Sequence, residues 1–227
     1  MVNRGKRARG GEGGGRAPRP AGRVRTKRSP DSRARILDAA AVEFSDRGFA
    51  GAGIDRIVRR ARVNKAMIYY HFKSKQALYV VVLGELYIAV RERLRAVAAG
   101  SLTPEEKIDA FIEALAQEVE ARPHFLPMIL REMAEGGPRL GRPTFELIGS
   151  IFQLVRAIIA EGTRARVFRP TNPVLAVATM IGPIVVFRAS AQVRARIGRL
   201  GIADISMNDS TALVRHLQTV TRRMLSQ

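Results

Sequence analysis

The sequence predicts an all-α protein of about nine helices. Three observations point there: apolar residues recur at three- and four-residue spacing along most of the chain after residue 29, helix start and stop signals bracket those stretches, and no alternating apolar–polar run is long enough to argue for a sheet. A hydrophobic content of 46% over 227 residues is enough to bury a real core.

The elements follow in order. Residues 1–29 are low-complexity Gly, Arg and Pro that cannot bury enough apolar surface to offset ordering, so a disordered basic arm is expected there. Its glycine run has no preceding strand and no terminal Gly-Lys-Ser/Thr, so it is not a phosphate loop. Ser29-Pro30 can open the first helix, with Ile36, Ala40 and Phe44 every four residues and Gly48 as its stop. Short helices are expected over about Ile54–Ala61 and Lys65–His71, separated by Arg62-Val63-Asn64, and Ser74 can cap a long fourth helix carrying Leu78, Val82, Leu86, Val90 and Leu94. Thr103-Pro104-Glu105-Glu106 reads as a capping box for a fifth. A sixth spans about Pro123–Glu135, and a seventh, over 144–165, is apolar on more than one face and so should be central. Asn172-Pro173 starts an eighth, expected to reach about Ala195 with a kink at Pro183, and Asp209 or Ser210 caps a ninth.

The composition narrows function. Absence of cysteine rules out disulfides, thiolate zinc sites and cysteine nucleophiles, and fits a reducing cytoplasm. The first thirty residues lack an apolar leader segment, and the longest apolar run, Val174–Phe187, is too short to cross a bilayer, so a soluble cytoplasmic protein without a membrane partner is expected. The net charge is +19, and residues 1–30 hold ten Lys or Arg against the single acid Glu12, while residues 31–78 hold ten basic against five acidic residues. Such a gradient suits a polyanion met by the N-terminal third, although charge alone does not separate that from solubility.

The informative stretch is Gly48–Lys75, two short helices joined by a tight turn. Ile54, Ile57 and Val58 can face inward from the first helix, Val63 can plug the turn, and Ile68 and Phe72 can face inward from the second. That leaves Lys65, Ala66, Met67, Tyr69, Tyr70 and His71 largely outside, and exposed aromatics on a basic helix are costly unless something binds them. A recognition helix in a major groove uses them all. Asn64 can cap the helix and donate to a phosphate, and the free amides of the helix start favour a phosphate as well. Ala66 lets the backbone approach base edges, Tyr69 offers ring and hydroxyl to bases or sugar, Tyr70 and His71 can reach phosphates, and Lys73 and Lys75 add cationic contacts. The plainer alternative is that the aromatics pack against the fourth helix.

On these residues the chain resembles the TetR family of bacterial regulators, notably Ile36-Leu37-Asp38-Ala39-Ala40, Gly48-Phe49, Asn64-Lys65 and Ile68-Tyr69-Tyr70-His71-Phe72-Lys73-Ser74-Lys75. The resemblance implies a helix-turn-helix DNA-binding domain over 30–78, a helical ligand-sensing and dimerising domain over 79–227, and a one-component repressor released by an unidentified small-molecule effector. Its partner would be double-stranded DNA, read as a palindromic operator by a homodimer. Two positions depart from the family pattern. Ala52 stands where a hydroxyl usually starts the second helix, leaving Gly53 as a weaker cap. Arg62 stands where the turn normally carries glycine, so the turn is either rearranged or strained, with phosphate contact by Arg62 as a possible return.

The resemblance also implies an effector pocket, for which Met128, Arg131, Glu132, Phe145, Phe152 and Met180 mix apolar bulk with polar handles. It further implies a four-helix dimer interface using Val177, Ile181, Leu213, Leu217 and Val220. His124, Glu132 and Glu135 lack the spacing of a metal site, so no metal and no cofactor are expected. No nucleophile, paired carboxylates or nucleotide loop suggests an enzyme. The competing reading is a sequence-blind architectural DNA-binding protein driven by the basic arm.

Overall fold

The computed structural model describes residues 30–203, 205 and 210–227. The expected basic arm over 1–29 and the caps at Ser29 and Asp209 lie outside the described residues. Within them the chain forms ten helices: α1 (Pro30–Gly51), α2 (Ile54–Ala61), α3 (Lys65–Phe72), α4 (Lys75–Ala99), α5 (Pro104–Ala121), α6 (Phe125–Ala134), α7 (Arg142–Arg164), α8 (Pro173–Ala189), α9 (Ala191–Arg199) and α10 (Ser210–Leu225). Among the described residues the only β feature is an isolated bridge between Phe168 and Ser226.

The four-residue repeat of α1 works as its spacing predicts: Ile36, Ala40 and Phe44 are fully buried. Its expected end at Gly48 is a break within the helix. Gly48 takes φ 67° and ψ 178°, a left-handed φ that suits glycine, and a further half-turn continues to Gly51. That break swings Phe49 back beneath the helix, where its ring lies 6.3 Å from Phe44 and 5.2 Å from Tyr79 of α4, while Phe44 and Tyr79 meet edge to face at 4.9 Å. Arg131 of α6 adds a polar tie, donating from Nη1 to the Ser45 carbonyl at 2.6 Å and to the Phe44 carbonyl at 3.3 Å. The α1–α3 unit is thus held onto α4 and α6 through the C-terminal half of α1.

The remaining helices gather around α4, α5 and α7. Ser74 caps α4 by accepting the Ala77 N–H, and Thr103 and Glu106 form the reciprocal capping box that opens α5. Buried Phe111, Ile108 and Ile112 of α5 join Val155 and Ile158 of α7 and Met180 and Ile184 of α8 in a continuous apolar core. α7 is apolar and long enough to cross a membrane by length and composition, but it packs against α4, α5 and α8. Lys107 of α5, itself buried, reaches both carboxylate oxygens of Glu161 of α7 at 2.9 Å.

One boundary differs from the sequence expectation and raises the count from nine helices to ten. The eighth helix, expected to run to Ala195, continues through Pro183 and ends at Ala189, with α9 departing at 49° after Ser190. Side chains make that bend. The Ser190 hydroxyl donates to the Val186 carbonyl at 2.7 Å, and Arg194 donates to the Phe187 carbonyl and to Ser190 Oγ. These groups take over acceptors at the end of α8.

After α7 the chain turns back so closely that a Cβ on Gly162 would lie 2.1 Å from the buried Phe168 ring. Gly162→Ala should therefore destabilise the protein by about 1–3 kcal/mol through overpacking. Gly149→Ala, in the same helix with nothing within 4 Å of the added methyl, should be neutral or stabilising by up to about 1 kcal/mol. Thermal melting of the two variants against the parent checks both signs.

Candidate nucleic-acid interface

α2 starts without a side-chain cap: Ala52 is buried, and Gly53 occupies the cap position with extended dihedrals. The missing acceptor comes from α1. Buried Glu43 accepts the Gly53 N–H at 3.2 Å and also the Nε–H of Arg56, while Arg47 lies 3.6 Å away. Burial alone would raise the Glu43 pKa. The hydrogen bonds from Arg56 and Gly53 and the charges of Arg56 and Arg47 outweigh it and hold the carboxyl below its ordinary value. Arg56 also donates to the Gly51 carbonyl, so its guanidinium sews the end of α1 to α2. The Ala52 departure is thereby made good by a group eleven or more residues from the helix it serves.

The turn keeps its form with arginine in the glycine position. Arg62 itself adopts the left-handed conformation, φ 53° and ψ 48°, its N–H donating to the Arg59 carbonyl, and the Val63 N–H reaches the Val58 carbonyl at 3.3 Å. A β-carbon in this conformation costs about 1–2 kcal/mol. Lys73, just beyond α3, also has a positive φ, 61°, so strained basic residues stand on both sides of the candidate recognition helix.

α3 is capped by Asn64, whose Oδ1 accepts the Met67 N–H at 3.0 Å. Ile68 and Phe72 are buried. Ala66 and Tyr70, four residues apart, project from the opposite side with Tyr69 beside them. Tyr69 is 46% and Tyr70 64% exposed. Lys65 is exposed and held by Asp55 of α2, Nζ to Oδ1 2.9 Å, and that hydrogen bond raises its pKa. Of the nine residues expected at the interface, Arg62, Asn64, Lys65, Ala66, Tyr69 and Tyr70 are exposed together.

The other three are turned partly inward. Met67 and His71 flank the buried stripe: Met67 packs on the core, and His71 Nε2 lies 3.1 Å from Ser32 Oγ of α1. Lys75 lies over the Phe49 ring at 4.7 Å with Nζ 3.4 Å from the Ala50 carbonyl, and its pKa is lowered by burial and then by Arg56. Its contribution is at least as much to joining α4 to α1 as to a ligand. Arg59 and Arg60 of α2 are exposed and, like Arg62, have no ion-pair partner among the described residues. The surface therefore presents a cationic rim around two tyrosines. Glu43, Asp55 and Ser32, which position it, were missed by sequence reasoning. Only a carboxylate at position 43, on the apolar face beside Phe44, hinted at a buried role.

The residues named for an effector pocket separate. Glu132 and Phe145 share a cavity of about 190 Å³ bounded by α4, α6 and α7. Met128 and Met180 are buried in the core, Arg131 is committed to the α1 carbonyls, and Phe152 borders a different, open groove beside Arg156. Of the residues named for a dimer face, Val177 and Leu217 are buried within the subunit, Ile181 and Leu213 are half-buried on its core, and Val220 is exposed. Both helices turn their strongest apolar positions inward because the subunit's own α5 lies there. Among the described residues no three His, Cys, Asp or Glu side chains converge as metal ligands.

Comparison with known proteins identifies both halves of the chain. Residues 36–82 match the model of bacterial regulatory proteins of the tetR family, and residues 104–222 match a tetracyclin repressor-like C-terminal domain. The chain is 28% identical over 148 residues to the HTH-type transcriptional repressor NicS of Pseudomonas putida, covering 64% of this chain and 70% of that protein. It is 36% identical over 112 residues to the HTH-type transcriptional repressor SCO4008 of Streptomyces coelicolor, spanning 48% of this chain and about half, 54%, of that relative. Among solved structures, the putative transcriptional regulator SCO4942 from Streptomyces coelicolor superposes with a TM-score of 0.64 at 26% identity, over 86% of this chain and 98% of that one.

Two measurements check the local physics. Arg62→Gly should relieve the left-handed strain and stabilise the protein by about 1 kcal/mol, while weakening any polyanion grip that uses the guanidinium. Glu43 has a depressed folded pKa, so its stabilisation is present above the unfolded value of about 4.3 and fades as pH falls through the lower folded value. The gap in melting temperature between the parent and Glu43→Gln should accordingly narrow between about pH 5 and about pH 3.

Proposed function

The chain belongs to the TetR family of bacterial regulatory proteins, and from that premise we propose that it is a one-component transcriptional repressor that reads DNA with α3 and lets go when a small molecule occupies its helical body. The observation that carries this reading is the outward face of α3: Ala66 beside two exposed tyrosines on a short, capped helix otherwise fastened by Ile68 and Phe72. Such a face leaves room for a base edge at Ala66 and offers rings and hydroxyls on either side. Lys65, Arg62, Arg59 and Arg60 would meet phosphates along the rim. Met67 and His71 support the helix from its edges.

On this reading residues 30–78 are the DNA-binding domain, residues 79–227 sense ligand and dimerise, and residues 1–29 follow the DNA backbone as a cationic arm. Two copies would place their α3 helices in successive major grooves of a palindromic operator, about 34 Å apart, in the bacterial cytoplasm. The dimer face would use the apolar groups left exposed near the end of the chain, Leu175 and Val186 of α8 and Val220 of α10, because Val177 and Leu217 are spent inside the subunit. The cavity holding Glu132 and Phe145 is the effector site. It lies one side chain from the α1 contact: Arg139, paired with Glu132, covers the Phe49 ring at 5.0 Å. A ligand that favours one arrangement of that contact shifts the population of DNA-competent heads. Family membership and a shaped reading helix favour a site-specific regulator over the architectural alternative.

Tyr70→Ala and Lys65→Ala should each weaken binding to the operator by about 1–3 kcal/mol, roughly tenfold or more, with melting temperature unchanged. Fluorescence anisotropy on DNA flanking the protein's own coding region measures it; parental affinity in both folded variants would remove α3 as the reading element. Removing residues 1–29 should leave sequence preference intact and flatten the dependence of affinity on salt, by about 0.9 in logarithmic slope for each lost phosphate contact.

A further inference from the structure

Resting on the reading of that cavity as the effector site, we propose that its ligand is a compact apolar or aromatic amine, bound as the ammonium ion with its charge at Glu132. The walls are apolar: Leu83, Ile129, Leu140 and Ile148 line it, together with the rings of Tyr87 and Phe145, and the exposed Phe145 stands at its mouth. Among the described residues, the only charged group in the lining is the Glu132 carboxylate, itself 2% exposed. An anion placed here would face a buried carboxylate with no cation on the wall to meet it, and burying it would be costly.

The carboxylate is held in place but not saturated. Its Oε1 accepts the Tyr79 hydroxyl at 3.0 Å and Arg139 Nη1 at 2.7 Å, whereas Oε2 has only the Arg139 backbone N–H, at 3.4 Å. A carboxylate can accept about four hydrogen bonds. Arg139 Nη1 is moreover shared, lying 2.5 Å from Glu135. Two carboxylates thus divide one guanidinium, and the cluster retains an excess negative charge beside an apolar space. The Tyr87 hydroxyl adds an unused polar group, having no hydrogen-bond partner among the described residues. Burial and the nearby Glu132 charge keep it protonated. An ammonium would find a charge-assisted acceptor in Oε2, a second acceptor in the Tyr87 oxygen, and aromatic faces for its stem. A volume of about 190 Å³ limits the ligand to a small body.

The same geometry couples the ligand to DNA. An ammonium at Glu132 competes with Arg139 for one carboxylate, and Arg139 is the side chain covering Phe49 at the broken end of α1. Loosening Arg139 therefore acts on the contact that seats the α1–α3 unit.

Calorimetric titration of the full chain with 2-phenylethylamine, 2-phenylethanol and phenylacetate tests the class, since the three share a ring and differ in charge. The amine should bind at least tenfold more tightly than the alcohol, and the acid should not bind. Glu132→Gln should bring the amine-to-alcohol ratio close to one. Because Glu132 also holds Tyr79 and Arg139, Ile148→Phe serves as a second variant: it narrows the cavity, leaves the carboxylate, and should abolish binding of amine and alcohol alike. Equal or preferred binding of phenylacetate, no binding of any probe, or an amine preference that survives Glu132→Gln would overturn the proposal. Operator binding followed in parallel keeps the two readings apart. Intact DNA binding with no amine bound sinks the ligand class and spares the regulator, whereas amine bound at the cavity with DNA affinity unchanged upholds the ligand class and sinks the effector role.

Discussion

A helix of eight residues does not hold its shape alone in water. The exposed face of α3 exists because Ile68 and Phe72 are buried against α1, α2 and α4, and because Asn64 satisfies one of the free amides at its start. Those anchors determine which side chains are left outside. With Ile68 and Phe72 inward, Ala66 and Tyr70 must face out, and Met67 and His71 fall at the edges where they can only half-emerge. The exposed face of α3 is thus a by-product of how the small core of α1–α3 closes, and its geometry is as rigid as that core.

The same unit carries local conflicts that long-range contacts resolve. Arg62 and Lys73 stand in left-handed conformations that glycine would adopt more cheaply. Glu43 offsets the uncapped start of α2 by binding Gly53 and Arg56 across the turn. Strain kept in basic residues at both ends of α3, instead of being relieved by glycine, fits the proposal that a cation there is worth more than a relaxed backbone.

Between the α1–α3 unit and the helical body, aromatic and charged groups form one continuous chain: Lys75 and Arg139 on the Phe49 ring, Phe49 and Phe44 on Tyr79, and Tyr79 and Arg139 on Glu132. It passes from the first turn of α4 to the wall of the cavity without a gap. The pieces come from four segments of sequence. The break at Gly48 brings Phe49 into it.

Periodicity, caps and turn residues determined by themselves that the chain is helical, where most helices begin, and that α3 presents tyrosines and cations, because these depend on neighbours three or four residues away. The cap at Ser74, the capping box at Thr103 and the buried stripe of α1 were legible for that reason, as was the motif linking this chain to DNA-binding regulators. Only the tertiary structure decided that α8 and α9 part at Ser190, that Glu43 caps α2, that Met128 and Met180 belong to the core while Glu132 and Phe145 face a cavity, and that Val177 and Leu217 are consumed within the subunit. Each of these depends on which distant side chain arrives at a given carbonyl, amide or apolar face. Hydrophobic spacing marks a face as buried without naming what buries it.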